Sequence, residues 1–199
     1  LRPQEDLEKL LAGLLRGLPG NYAELRAAGD TDYFSIQLDI YQDSHEVLSA
    51  IREISVKDRQ VMQDHLEIAY PYQGMGIGRQ FLANCLDLYR QLDIAEIRQT
   101  AAKQGGYVWA RAGFLPLSGY EWQDICEHVA SRITQMRWRV PVARLEPEVQ
   151  QGVAAARDII ARNDKTALWE LADLPQRMGK KREKLAHYLL AGTAWDAFY

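Results

Sequence analysis

The stretch that decides the fold is YPYQGMGIGRQFLANCLDLY, Tyr70 to Tyr89. Glycines stand at alternate positions, Gly74, Gly76 and Gly78, and an apolar pattern of helical spacing follows at once in Ile77, Phe81, Cys85, Leu88 and Leu92. The spacing predicts a helix of about 14 residues opened by a glycine-rich turn. The first N–H groups of a helix have no acceptor inside it, and the helix dipole favours negative charge there. Glycine lets a backbone approach a phosphate with no Cβ in the way. The junction therefore reads as an anion site. Two phosphate loops are excluded. The dinucleotide fingerprint G-x-G-x-x-G needs glycine at 79, where Arg79 stands, and a Walker loop needs Gly-Lys-Ser or Gly-Lys-Thr, which the chain lacks. The plainer reading is a tight strand-to-helix turn, which needs fewer than three glycines in five residues.

Outward from this junction the chain reads as alternating elements. RPQEDLEKLLAGLLRGL is an amphipathic helix, with Pro and acids in its first turn and Leu7, Leu10, Leu11, Leu14 and Leu15 on one stripe; PGNY ends it. TDYFSIQLDIYQ alternates, with Phe34, Ile36, Leu38 and Ile40 on one face and Tyr33, Ser35, Gln37 and Asp39 on the other, as a half-buried strand does. HEVLSAIREISV and RQVMQDHLEIAY read as two strands joined by a hairpin turn at Lys57-Asp58. Beyond the central helix, IAEIRQTA is a strand, GGYVWARAG a short helix, and FLPL a short strand that Pro116 confines to an edge. Then the pattern turns helical. Trp122, Ile125, Val129, Ile133 and Met136 form one stripe and Val149, Val153, Ala156 and Ile160 another, and DKTALWELADL and KREKLAHYLL add two more helices.

With 199 residues there is room for one sizeable domain, or one with a small appendage. A net charge of −3 gives no overall drive toward nucleic acid or a membrane surface, and no apolar run approaches the roughly 20 residues of a membrane span. Cys85 and Cys126 sit in apolar settings and read as buried free thiols of a reducing compartment, so the cytoplasm is the expected location. The four histidines are scattered without ligand spacing, and no metal is expected. The chain begins at Leu1 rather than Met, as an excised segment of a larger protein would.

Gln73-Gly74-Met75-Gly76-Ile77-Gly78 resembles the Gln/Arg-x-x-Gly-x-Gly/Ala motif of the GNAT superfamily of N-acetyltransferases. The likeness extends on both sides: LEIAYPYQGMGIGRQFL resembles that family's fourth strand, loop and third helix, IAEIRQTAA its fifth strand, and GGYVWARAGF the end of its fourth helix. It spans roughly residues 30–118. The resemblance implies a GNAT-like α/β fold, a mixed central sheet flanked by helices. Residues 1–120 would be the acyl-CoA-binding domain and residues 121–199 a helical C-terminal extension. It further implies that Gln73, Gly74, Met75, Gly76, Ile77, Gly78 and Arg79 hold the pyrophosphate of acetyl-CoA or another acyl-CoA. The main chain around Ile68, Ala69 and Tyr70 would pair with the pantetheine arm like an added strand and polarise the thioester carbonyl. The implied activity is transfer of an acyl group to a primary amine by direct attack in a ternary complex. The partners it implies are acyl-CoA and an unidentified amine; the extension, which the resemblance does not cover, leaves open a cap on the sheet, a wall of an acceptor pocket, or a surface for a protein or a second copy.

Such attack needs a base for the amine's proton and often an acid for the departing thiolate. The family's base positions fall here on Met62, which has no titratable group, and Asp64. In a regular strand Asp64 shares a face with Met62, Leu66 and Ile68, an apolar setting that raises a carboxyl pKa. His65 and Glu67 then point the other way, and a bulge would swap those faces. The plain reading of Asp64 is an exposed or ion-paired strand residue. The family's acid position is Trp109, and Tyr107 is the nearest substitute, two residues earlier and about 200° round a helix. Ala102 replaces the asparagine that often begins this helix, and Gly105-Gly106 suggests a shortened or bent start. These departures motivate a second reading, a catalytically inactive GNAT-fold binding or scaffold module. RMGKKREK reads as a solvated helix start, with the 3′-phosphate of CoA, an acidic partner or RNA as competing uses. The aromatic tail AGTAWDAFY either docks on the domain or runs on into a further segment.

Overall fold

The computed structural model describes residues 11–101, 105–139, 146–162, 164–178 and 183–199. They fall into two compact units, Leu1–Arg98 and Gln99–Tyr199.

In the first unit, β1 (Tyr22–Gly29), β2 (Tyr33–Gln42), β3 (His45–Ser55) and β4 (Gln60–Ile68) form an antiparallel meander. Strand β5 (Glu96–Ala101) follows β4 in spatial order, and the boundary between the units falls within it. Helix α1 (Ile77–Gln91) links β4 to β5 and buries Ile77, Phe81, Cys85, Leu88 and Tyr89. The alternation expected of β2 is present, since Phe34, Ile36, Leu38 and Ile40 are all buried. Each such side chain contributes about 1.5–3 kcal/mol when withdrawn from water. Asp39 departs from the expected polar face. It is buried, and its carboxylate accepts from Ser49 Oγ (2.7 Å) and Gln37 Nε2 (2.9 Å). Strand β1 was not expected from the sequence. Among the described residues it pairs with β2 alone, most of it is exposed, and YAELRAAG carries no alternation to betray it. Of the expected first helix, residues 1–10 lie outside the described residues. Gly13–Leu15 form a 3-10 turn held by Asn84 of α1, whose amide donates to the carbonyls of Leu14 (2.9 Å) and Arg16 (2.8 Å).

Two irregularities shape the meander. Ile40 pairs with Leu48 but Tyr41 with Glu46, so Val47 is an extra residue in β3 and both Val47 and Leu48 are buried. Between β3 and β4, Ile51 pairs with His65 but Glu53 with Met62. Arg52 alone therefore stands opposite both Gln63 and Asp64, which is a β-bulge in β4.

The second unit is helical with short strands. Its helices are α2 (Gly105–Arg111), α3 (Gly119–Arg139), α4 (Pro147–Ile160), α5 (Ala167–Ala172) and α6 (Leu185–Leu190). Ser118 and Glu121 cap α3 reciprocally: the Ser118 N–H donates to Glu121 Oε2 (2.7 Å) and the Glu121 N–H to Ser118 Oγ (3.3 Å). The stripe from Trp122 to Met136 is buried as expected; that of α4 ends on Ile159 rather than Ile160. Glu183 and Lys184 do not open the helix expected of KREKLAHYLL. Arg177–Met178 (β7) and Glu183–Lys184 (β8) pair as a hairpin, and the helix begins at Leu185. Lys180, Lys181 and Arg182 of the basic run lie outside the described residues, as does Ala102. The aromatic tail is strand β9 (Trp195–Phe198), antiparallel to β6 (Leu115–Pro116) and beside β5, where Thr100 Oγ1 donates to Asp196 Oδ1 at 2.7 Å.

The double glycine before Tyr107 has a packing reason. A Cβ on Gly106 would collide with Thr193 Oγ1 and stand 2.8 Å from the Leu190 carbonyl oxygen. Gly106→Ala should therefore lower stability in urea by about 1–3 kcal/mol. Gly119→Ala, whose Cβ would meet nothing within 4 Å, should leave it within about 0.5 kcal/mol.

Candidate functional site

The chain leaves β4 through a 3-10 turn at Tyr70–Tyr72 and enters α1 through the glycines. Gly74 and Gly76 have φ of 79° and 85°, the left-handed region that side chains rarely adopt, and a Cβ on either would meet nothing within 4 Å. Conformation, not crowding, requires glycine at these two positions. Gly78 has the opposite reason, since its Cβ would lie 3.0 Å from Ile68 Cδ1, so helix and strand touch closely there. Among the described residues, the backbone N–H groups of residues 74–79 have no hydrogen-bond partner; the first bond of the helix runs from the Gln80 N–H to the Gly76 carbonyl at 3.0 Å. No side chain caps this end, no acid stands in its first turn, and Arg79 is exposed with no ion pair among the described residues. Six successive donors, a positive helix end, open space beside two glycines and one cation fit a diphosphate. Gln73 is the exception in the motif. Its N–H donates to the Tyr70 carbonyl (3.2 Å), and its side-chain Nε2 donates to the Ile68 carbonyl (2.9 Å), tying the loop to the strand end.

That tie and its neighbours engage much of the main chain expected to receive an added strand. The Ala69 N–H donates to the Val47 carbonyl (3.1 Å), and the Ala69 carbonyl accepts from the Tyr72 N–H (2.9 Å). The Tyr70 N–H has no partner among the described residues, and each engaged carbonyl keeps a second lone pair. Tyr70 and Met75 are exposed.

The bulge decides where Asp64 points. Up to Gln63 the inward residues are Val61 and Gln63, both buried. Past the bulge Leu66 and Ile68 pair with Ala50 and Leu48 and take the inward face. Asp64 therefore does not share a face with Leu66 and Ile68, as a regular strand would have it. It lies outward, exposed, between Met62 and His65, and His65 Nε2 stands 3.9 Å from Glu67 Oε2 on the same side. Partial burial and the negative charge of Glu53 raise the Asp64 pKa, with Arg52 pulling it back. Glu53 is itself fixed by the Tyr33 hydroxyl at 2.8 Å.

Tyr107 belongs to the second unit. It is half-buried, its ring meets that of His187 edge-on at 5.1 Å, and its hydroxyl oxygen accepts from Arg111 Nη1 at 3.4 Å. Trp109, where the resemblance would place the acid, is buried edge-on against Phe114 at 5.2 Å. Burial pushes the Cys85 thiol up, and burial together with Glu127 pushes Cys126 up to about 11, so neither is a thiolate nucleophile at neutral pH. Residues that sequence reasoning passed over are Arg52, a charge inside an apolar strand face, and Gln63, buried beside the bulge. Only their position within alternating strands hinted at either.

No family model matches the chain, and no curated protein does. Among solved structures, that of a nourseothricin acetyltransferase is similar over 54% of this chain and 79% of that one, at 15% identity and a TM-score of 0.38. No helix among the described residues is long and apolar enough to cross a membrane.

The raised Asp64 carboxyl has a stability consequence. Its folded-state pKa lies above the unfolded one, so its contribution to the fold is whole below the unfolded value and is lost as pH rises through the folded one. Carboxyl NMR should titrate Asp64 above the ordinary aspartate value, and Glu53→Gln should bring the midpoint down. Asp64→Asn should leave the chain no less stable at neutral pH.

Proposed function

We propose that this chain binds an acyl-CoA and moves its acyl group, most simply acetyl, to a primary amine. The observation that carries the reading is the run of six unpartnered backbone donors at residues 74–79, set at the head of α1 by two glycines of positive φ. The bound cofactor would supply the activated acyl group. The chain's own residues bind and orient it. Gly74 to Gly78 and Arg79 hold its diphosphate, with Gln73 anchoring the loop to the strand end, and the main chain at Ile68, Ala69 and Tyr70 lies along its arm. Asp64, its pKa raised by partial burial and by Glu53, takes the amine's proton, directly or through a water. Tyr107 is the candidate proton donor. The inert thiols support direct attack in a ternary complex over a covalent enzyme intermediate.

The buried Trp109 and the hydrogen-bonded hydroxyl of Tyr107 favour one second reading, a module that binds the cofactor without catalysis. Calorimetry with acetyl-CoA and a thioester-consumption assay over an amine panel separate the two. Binding with turnover supports transfer, and binding without turnover supports the silent module. No heat and no thermal protection would sink both. Gly76→Asp places a side chain on a positive φ and a negative charge against the phosphate, so acetyl-CoA affinity should fall at least about a hundredfold with the circular dichroism spectrum unchanged.

A further inference from the structure

Arg52 is 3% exposed, on the inward face of β3. A guanidinium keeps its charge at any accessible pH, and burying one is costly unless its donors are met. No carboxylate among the described residues forms an ion pair with it. Its Nη1 donates instead to two backbone carbonyls, that of Ile51 at 2.7 Å and that of His65. Its central carbon lies 5.3 Å from the centre of the Phe81 ring, and its charge is felt by Cys85 and Tyr89 of the same helix. Arg52 Nε and both amide atoms of the buried Gln63 have no partner among the described residues, while the Tyr89 hydroxyl stands within reach of Cys85 and Arg52.

The place of this arginine is the one where β3 has a single residue against two of β4. A bulge breaks the regular ladder, and the carbonyls beside it need other donors. Arg52 supplies one to His65, the first residue of β4 past the bulge. The bulge in turn governs the strand end. A one-residue slip would exchange the faces of every residue after it. Ile68 would leave its contact beside Gly78, and the carbonyl now held by Gln73 Nε2 would turn away from the loop.

We propose that Arg52 is a positioning residue for the acyl-CoA site: its buried guanidinium holds the β4 bulge in register, and the bulge sets Ile68, Ala69 and Tyr70 where the pantetheine arm lies. The second half of this rests on the acyl-CoA reading; the first half rests on the strand geometry alone.

The test uses the full chain, the variants Arg52→Met and Arg52→Lys, and two readouts. Hydrogen exchange follows the amides of residues 63–69 against those of β2. Calorimetry compares CoA with ADP, which has the diphosphate but no pantetheine arm. In Arg52→Met, exchange at 63–69 should quicken about tenfold or more with β2 unchanged. Affinity for CoA should fall about tenfold while that for ADP stays within about twofold. Arg52→Lys keeps a donor and should recover most of both. If Arg52→Met does not fold, Arg52→Lys is read alone, with a loss of about threefold for CoA and none for ADP expected. Equal losses of CoA and ADP, or unchanged exchange at 63–69, would overturn the proposal. A wild-type chain that binds neither ligand overturns the site half together with the acyl-CoA reading, and the exchange arm then decides the bulge half by itself.

Discussion

Backbone donors must find acceptors, and at the head of α1 six in succession find none among the described residues. Much of the first unit is arranged to keep them so. Gly74 and Gly76 take φ values that turn the chain into the helix without a capping side chain. Gly78 lets the helix lie against Ile68, and the Gln73 amide fastens the turn to the same residue's carbonyl. Strand end and helix start are thereby held as one piece, with their charge-seeking groups outward. A loop with a serine or aspartate cap would satisfy some of these donors internally and leave less for an anion.

The second constraint is the bulge in β4, with a buried arginine opposite it. An extra residue in one strand costs a ladder bond, and its effect is directional, since everything beyond it changes face. Here Leu66 and Ile68, both half-buried, pair with the inward Ala50 and Leu48, while Asp64 and His65 share the outer face. The carboxylate proposed as base thus owes its surroundings to Glu53 across the strand pair and to partial burial, not to an apolar face. The thiols, by contrast, are silenced by burial, which disfavours their charged form.

In the second unit close packing rather than charge sets the pattern. Gly106 admits Thr193 and the Leu190 carbonyl, and Gly152 admits Leu185 Cδ2, which an added Cβ would approach to 2.6 Å. Trp109 is used as a core aromatic against Phe114, and Tyr107 meets His187 edge-on. Trp109 has no titratable proton near neutral pH, and its burial contributes packing area instead.

The local signals were all readable from residue order. The alternation of β2, the helical stripe after the glycines, the edge proline of β6 and the anion-seeking turn each depend on neighbours within a few positions, where periodicity and backbone preference act. Tertiary structure alone decided the rest. Strand β1 exists because β2 offers it a ladder, not because YAELRAAG alternates. The tail became β9, and Glu183–Lys184 became a strand, because Leu115–Pro116 and Arg177–Met178 completed their hydrogen bonds. The face of Asp64 depended on one extra residue in β4, and the reason for Arg52 depended on a carbonyl thirteen residues away. A period of two describes a strand only until a bulge breaks it, and whether one does is settled by the partner strand and by the helix packed over both.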